Sequence, residues 1–182
     1  MSRKTRFKLL LGGKAKSVTV NGITVSVAPN TLFPLPVDVR VFEEDTHLIL
    51  TVDPVMRYTE EHPIRLLNSL SREKVKKTGT VVFNSSSWYA VVHDLDSKQT
   101  CCREWVVSAY REIFRLAEER QVARIAIPLL GSVHGNMKPA ESLQLMLAEV
   151  KAARARNPRQ IMIIASPAQV ASTKASLFKT VQ

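Results

Sequence analysis

The alternation of apolar and polar residues predicts a β-hairpin near the start of the chain. Apolar and polar side chains alternate across residues 17–27, on both sides of Asn21-Gly22. This pair accepts positive φ at both central positions of a two-residue hairpin turn. The Pro-rich residues 30–36 then predict an irregular connection.

The next segments predict two strands and a helix. Residues 37–42 and 47–52 have the composition of short strands, and the acidic residues 43–45 between them predict a connecting loop. Residues 60–77 predict a helix that begins after Pro63.

From residue 79 onward, strand and helix patterns alternate. The predicted elements are strands at 80–84 and 88–93, a helix at 100–121, a strand at 125–130, a helix at 139–155, a strand at 161–165, and a last helix with Ser166 as N-cap and Pro167 in its first turn. Such alternation predicts parallel strand pairing with helices on both sheet faces. The expected fold class is therefore α/β, with an N-terminal hairpin and a mixed, mostly parallel central sheet.

Length and composition predict one globular domain. The chain has 182 residues, of which 45% are hydrophobic and 23% are charged, and this is enough for a single sizeable core. Residues 1–16 are basic and lack the apolar pattern of a core element, so we expect an N-terminal arm at 1–16 and one domain at 17–182.

Positive charge is concentrated at the two ends of the chain. The formal net charge is +10, yet residues 17–150 hold 14 basic and 16 acidic residues. Residues 1–16 and 151–182 hold six basic residues each and no acidic residue. Basic ends attract polyanions, so RNA or DNA is a candidate partner. The nucleic-acid contacts predicted from this pattern are Arg3, Lys4, Arg6, Lys8, Lys14, Lys16, Arg154, Arg156 and Arg159.

The cysteines and histidines predict neither a disulfide nor a metal site. The two cysteines, Cys101 and Cys102, are adjacent in sequence, which disfavours a structural disulfide and suits a reducing compartment. The four histidines lack metal-ligand spacing, and His93 in a predicted inner strand is expected to be a paired core residue. No apolar run is long enough to span a membrane. We therefore expect a cytoplasmic or host-cell interior protein without a cofactor or a membrane partner.

One loop stands out as a candidate ligand site. It follows the apolar strand at 125–130 and precedes the helix at 139–155. In open α/β sheets, ligands bind at the carboxyl ends of strands, and a helix N-terminus favours anions. Two glycines let the backbone approach a ligand closely. The candidate site residues in this loop are Gly131, Ser132, Val133, His134, Gly135 and Asn136.

The segment from residue 77 to 165 resembles the macro domains, a family that binds ADP-ribose and in some members hydrolyses it. The stretches KKTGTVVF, YAVVHDLD and PAESLQLMLAEV are similar to family strands and a family helix in the same order. SAYREIFRLAEERQVARIAIPLLGS resembles the family's helix followed by an I-P-x-L-G-[ST] strand and loop. The resemblance implies a three-layer macro-like fold and an ADP-ribose pocket.

Several positions depart from the family pattern. The nearest match to the family's G-D-I-[ST] is NGIT at 21–24, with Gly22 where the adenine-binding aspartate would be. VDVRVFEEDTHL resembles V-D-A-I-V-N-A-A-N, with Asp45 where the last asparagine would be, and residues 48–78 contain no glycine. Val133 replaces a glycine of the second loop, and Ser166 is near the position of a stacking aromatic residue. The resemblance thus implies a ligand-binding role for Asp45 and Ser166, in a weakened pocket.

Three functions remain open at this point. The first is a degenerate macro-like module that binds ADP-ribose, or a related phosphate-containing nucleotide, without hydrolysis. The second is RNA or DNA binding through the basic ends on a macro-like scaffold. The third is a protein-interaction domain of a larger assembly whose partners the sequence does not identify. An active ADP-ribosyl hydrolase is disfavoured because the asparagine and the Gly-rich loop are missing.

Overall fold

A computed structural model describes residues 17–51, 75–153 and 156–181. The basic arm at 1–16 and most of the helix predicted at 60–77 lie outside these residues. Residues 75–77 are described and are not helical.

Seven strands form one mixed sheet. The strands are β1 (Val18–Val20), β2 (Ile23–Pro29), β3 (Val39–Asp45), β4 (Val81–Phe83), β5 (Ser87–His93), β6 (Arg124–Pro128) and β7 (Gln160–Ala165). Their order across the sheet is β1-β2-β7-β6-β3-β5-β4. The five inner strands are parallel, and each edge strand, β1 and β4, pairs antiparallel with its neighbour. The predicted mixed, mostly parallel sheet is confirmed.

The first turn forms as its two residues predict. Asn21 has a φ of 50° and Gly22 a φ of 80°, so both central residues are in the left-handed region. The pairing of Val20 with Ile23 closes the hairpin. The carboxamide of Asn21 also donates to the carbonyl of Ala153 at 2.6 Å, which joins the hairpin to the end of a helix.

Side-chain alternation divides the core between the two sheet faces. Ile125 and Ile127 belong to the large core cluster, whereas Ala126 between them belongs to a smaller cluster on the other face. The same period of two separates Ile161 and Ile163 from Met162. Inner strands are therefore apolar on both faces, as parallel strands should be.

Three helices pack together over the larger cluster. They are α1 (Arg103–Glu119), α2 (Pro139–Ala152) and α3 (Val170–Val181). Each contributes buried residues to this cluster, including Ile113 of α1, Met146 of α2 and Leu177 of α3. On the opposite face, the smaller cluster packs against Leu35 and Val37 from the irregular connection. The sequence predicted helices on both faces, but all three described helices contribute to the larger cluster. The helix predicted at 60–77 lies mostly outside the described residues.

The predicted boundaries that differ from the structure include the first residues of two helices. The last helix begins at Val170 rather than at Ser166, because residues 167–169 form a turn in which the amide of Gln169 donates to the carbonyl of Ser166 at 2.8 Å. Cys101 and Cys102 precede α1 instead of lying within it, and both are half-buried free thiols.

The predicted loop at 43–45 is wrong, because these acidic residues form the last part of β3. Glu43, Glu44 and Asp45 are all fully buried. Conversely, residues 47–51 form turns rather than the predicted strand, and their amides bond to the buried acids. A carboxylate that receives several backbone N–H donors can be buried, whereas an unpaired one cannot.

Among the described helices, none combines the length and apolarity that crossing a membrane requires.

Candidate functional site

A cleft opens where two central strands separate. β3 and β6 pair only at Val39–Ile125 and Arg40–Ala126, after which their carboxyl ends diverge. The cleft between them has a volume of about 320 Å³. This volume is at the lower end of the range for small-molecule sites, and the carboxyl edge of parallel strands is where such sites form.

The cleft is lined by residues from both halves of the chain. Polar and charged side chains alternate with apolar ones around its wall. The lining residues are Asn30, Arg40, Val41, Phe42, Glu43, Thr51, Pro128, Leu129, Ser132, Val133, His134, Pro139, Ile164, Ala165, Ser166, Gln169 and Thr173.

The loop after β6 is closed by its own hydrogen bonds. The amide of Ser132 donates to the carbonyl of Leu129 at 3.1 Å, and the hydroxyl of Ser132 donates to the same carbonyl at 2.7 Å. The amide of Met137 donates to the carbonyl of Gly131 at 3.1 Å. Gly131 has a φ of 79°, and a Cβ there would lie 3.1 Å from a methyl carbon of Val106. Glycine is therefore required at 131 for both conformation and space.

A buried carboxylate occupies the amides that this loop was expected to offer to a ligand. Oε2 of Glu43 accepts from the amide of Gly131 at 2.8 Å, and Oε1 accepts from the amide of His134 at 2.9 Å. Nε2 of His93 lies 2.5 Å from the same Oε1. These two amides are therefore not free to bind a ligand, because Glu43 reaches them from the neighbouring strand. His93, which is 1% exposed, is the paired core histidine that its position predicts.

The two acids that follow Glu43 organise the turns after β3. Glu44 accepts from the amides of Leu50 and Thr51 at 3.0 and 2.9 Å, and from the Thr51 hydroxyl. Asp45 accepts from the amides of His47 and Ile49 at 2.6 and 3.1 Å. The two carboxylates thus bond the amides of residues 47–51, which in a strand would bond to a neighbouring strand.

The candidate residues of the sequence divide into those that face the cleft and those that do not. Ser132, Val133, His134 and Ser166 line it together. Gly131 supports the loop from beneath, and Gly135 packs against His93, where an added Cβ would lie 2.9 Å from a ring carbon.

Asn136 and Asp45 fall outside the cleft. Asn136 lines a separate depression beside Cys101 and Cys102. Asp45 is fully buried with both carboxylate oxygens bonded, so a ligand-facing role for it is wrong.

Burial raises the pKa of Cys101 to about 12, and it also raises the pKa of Cys102. Neither thiol is therefore an activated nucleophile.

The match of NGIT to the family's first motif is also wrong. Gly22 lies in the turn at the amino end of β2, whereas the cleft lies at the carboxyl ends of the strands. The residue at the carboxyl end of β2 is Asn30, which lines the cleft and whose amide donates to the carbonyl of Ala165 at 2.8 Å. The sequence signal for Asn30 was its position as a polar residue directly after a strand with alternating apolar and polar residues.

Sequence reasoning missed Arg40 and Phe42, which line the cleft from β3. The guanidinium carbon of Arg40 lies 4.9 Å from the centroid of the Phe42 ring, and that ring stacks on Tyr89 at 5.7 Å. Within the described part of the chain, the Arg40 guanidinium has no carboxylate partner. An arginine that alternates with Val39 and Val41 in an inner strand was the available signal.

Most of the basic residues predicted to contact nucleic acid lie outside the described residues. Arg156 and Arg159 are described, and both are exposed. The remaining predicted contacts, at residues 3–16 and at 154, stay predictions. In the described ranges, no group of three or more His, Cys, Asp or Glu side chains is placed to hold a metal ion.

Comparison with solved structures identifies the fold. A mutant of the Oceanobacillus iheyensis macrodomain with ADPR superposes with a TM-score of 0.67 at 12% identity, covering 91% of this chain and 98% of that one. The same macrodomain with ADP gives a TM-score of 0.66 at 14% identity, covering 91% and 96% of the two chains. The macro domain of ganglioside induced differentiation associated protein 2 gives 0.60 at 15% identity, covering 86% and 83%.

The chain therefore has the fold of the macrodomains. An alphavirus protein, P23pro-zbd, is similar over 87% of this chain and 24% of its own length, with a TM-score of 0.58 at 15% identity. At the level of sequence, no protein-family model matches the chain and no curated protein is significantly similar to it.

Proposed function

We propose that this chain is a macro-fold binding module for ADP-ribose or a related phosphate-containing nucleotide, and that it does not hydrolyse its ligand. The observation that carries the proposal is the cleft at the carboxyl ends of β2, β3, β6 and β7. This cleft joins an arginine that has no ion-pair partner among the described residues to several side chains that can bond a base or a sugar. Solved structures of the same fold include complexes with ADPR and with ADP.

Arg40 supplies the positive charge of the cleft. Its side chain is half-buried beside an aromatic ring, and it forms no ion pair with any described carboxylate. A guanidinium binds phosphate oxygens through two parallel N–H bonds, and the bonds are stronger where water is partly excluded. We assign the ligand phosphate to this residue.

Three polar residues of the cleft lining suit a base or a ribose. These are Asn30, Ser166 and Gln169, and the hydroxyl of Ser166 lies 2.9 Å from Oε1 of Gln169. In the family that this chain resembles, an aspartate holds the adenine amino group. The carboxamide oxygen of Asn30, at the carboxyl end of β2, is able to accept the same bond.

Among the described residues that line the cleft, the groups that the resemblance associates with hydrolysis are missing. Asp45, in place of the family asparagine, is buried and bonded to loop amides. Glu43 has both carboxylate oxygens engaged by Gly131, His134 and His93. The remaining titratable side chain of the described lining that could serve as a base is His134, and none of the described carboxylates orients it.

Calorimetric titration with ADP-ribose tests the proposal. Arg40→Gln removes the charge but keeps most of the stem, and a lost charge-assisted hydrogen bond costs about 1.5–3 kcal/mol. We expect the dissociation constant to rise about tenfold to a hundredfold. Arg159→Gln is the matched control, because Arg159 is exposed before β7 at the other edge of the sheet. No heat from the unmodified protein at millimolar ADP-ribose, or equal affinities for both variants, would exclude the proposal.

A second candidate function, RNA or DNA binding, is favoured by the charge distribution. Twelve basic and no acidic residues occupy 1–16 and 151–182. Four of the twelve, Lys151, Arg156, Arg159 and Lys179, are exposed in the described part of the chain. Such binding weakens steeply with salt. A gel-shift assay at two salt concentrations, with the full chain and with a variant lacking residues 1–16, tests it. Binding that is absent at low salt, or that the deletion leaves unchanged, would count against this candidate.

A further inference from the structure

The carboxylate of Glu43 accepts hydrogen bonds in the same way as an anionic ligand in a binding site. The side chain is 2% exposed and lies at the wall between the cleft and the core. Its two oxygens together accept from the amides of Gly131 and His134 and contact Nε2 of His93. Backbone amides of a tight loop that point toward one position form an anion-binding site. Here the bound anion is the carboxylate of Glu43 itself.

The loop has no room for a second anion at these amides. A Cβ on Gly135 would lie 2.6 Å from the carbonyl oxygen of Gly131 and 2.9 Å from a ring carbon of His93. A Cβ on Gly131 would lie 3.1 Å from Val106 and 3.3 Å from the sulfur of Cys101. The loop is therefore packed on both sides, and a ligand phosphate would have to displace Glu43 to reach the two amides.

Displacement of Glu43 would be costly. The carboxylate would leave the imidazole of His93, which is also buried, without its partner. Removing one partner of a buried hydrogen bond leaves the other group unsatisfied, which is strongly unfavourable. A free carboxylate next to an entering phosphate would also repel it.

We propose that Glu43 is a specificity-determining residue that excludes ligand phosphates from the loop amides. Together with the proposed function, on which this inference rests, it leaves Arg40 as the phosphate-binding group of the described cleft lining, so that the cleft takes ligands with a single phosphate there. The ligand class is then a nucleoside monophosphate, and the second phosphate and distal ribose of ADP-ribose add no affinity.

The test compares AMP, ADP and ADP-ribose as calorimetric ligands for the unmodified chain and for Glu43→Ala. We expect the unmodified chain to bind all three within about threefold of one another. In Glu43→Ala the two amides are released, and ADP and ADP-ribose should then bind at least about tenfold more tightly than AMP. If the unmodified chain already prefers ADP-ribose by tenfold, and Glu43→Ala keeps that ratio, the inference is wrong while the proposed function stands.

A second measurement covers the case in which Glu43→Ala folds poorly. Formate carries the carboxylate that the variant lacks, so it should raise the melting temperature of Glu43→Ala more than an equal concentration of chloride does. The unmodified chain should show no such difference. Equal responses of the two proteins to formate would overturn the assignment of the amides as an anion site. If neither protein binds any of the three nucleotides, the proposed function and the specificity role both fail.

Discussion

A buried hydroxyl network at the base of the cleft loop gives the sharpest test of the structure. The amide of Leu130 donates to the hydroxyl oxygen of Tyr110 at 2.8 Å, and the hydroxyl of Ser142 donates to the carbonyl of Leu130 at 2.7 Å. Tyr110 and Ser142 are 2.8 Å apart. Because the one hydroxyl proton of Ser142 is already used, Tyr110 is the donor in this contact. Burial raises the pKa of Tyr110, so the donor stays protonated in ordinary buffers.

The cost of Tyr110→Phe follows from these bonds. The substitution leaves the Leu130 amide and one lone pair of Ser142 unpaired in a site where all three residues are buried. A buried unpaired donor costs about 1–3 kcal/mol, and a lost neutral hydrogen bond about 0.5–1.5 kcal/mol. We expect a total loss of about 2–3 kcal/mol in the free energy of unfolding. For a chain of this length, that loss lowers the melting temperature by roughly 5–10 °C.

Urea unfolding of Tyr110→Phe, with Tyr89→Phe as the matched control, measures this cost. The hydroxyl of Tyr89 makes no hydrogen bond to the described residues, and its ring is half-buried, so its removal should change stability by less than about 0.5 kcal/mol. Ser142→Ala should destabilise as well, and the double variant by less than the sum, because the Tyr110–Ser142 bond is lost only once. Strict additivity, or equal effects of the two tyrosine substitutions, would refute the network.

Two further predictions concern the loops around the cleft. Gly135→Ala should lower the free energy of unfolding by about 2–3 kcal/mol because its Cβ meets a backbone oxygen at 2.6 Å. Gly22→Ala, whose Cβ would have no atom within 4 Å, should cost only about 1 kcal/mol, from its positive φ. Equal urea midpoints of the two variants would contradict this. The pKa of His47 is raised above its ordinary 6.5, mainly by its hydrogen bond to Asp96 at 3.0 Å. This contact therefore stabilises the fold fully below about pH 6.5, and the stabilisation is lost as pH rises through the raised pKa. NMR titration should give a lower His47 pKa in Asp96→Asn, and a stability difference between the two proteins that grows with pH would oppose the reasoning.

The repeating patterns of the sequence anticipated the elements whose shape depends on their own residues. The Asn21-Gly22 hairpin formed because positive φ at both positions is a local property of those two residues. The helices α1 and α2 were predicted from their periodicity, and the strands β6 and β7 from short continuous apolar runs. Periodicity reports which side of an element faces the core, and each element carries that information alone.

The acidic run showed the limit of such reasoning. Three consecutive carboxylates resemble a solvent-exposed turn, because a charge is normally buried only when it is paired. The partners of Glu43 are 50, 88 and 91 residues away along the chain, and they meet it only after β5 and β6 have been placed beside β3. The same holds for the cleft, whose lining joins residues 30, 40–43, 128–134 and 164–173.

Local patterning therefore established an α/β chain with a loop at the carboxyl end of an inner strand. Folding in three dimensions then settled which anion that loop holds and which side chains surround the cleft. The physical reason is that a hydrogen-bond donor for a buried charge must lie within about 3 Å in space. Distance along the chain does not restrict where in the sequence that donor is found.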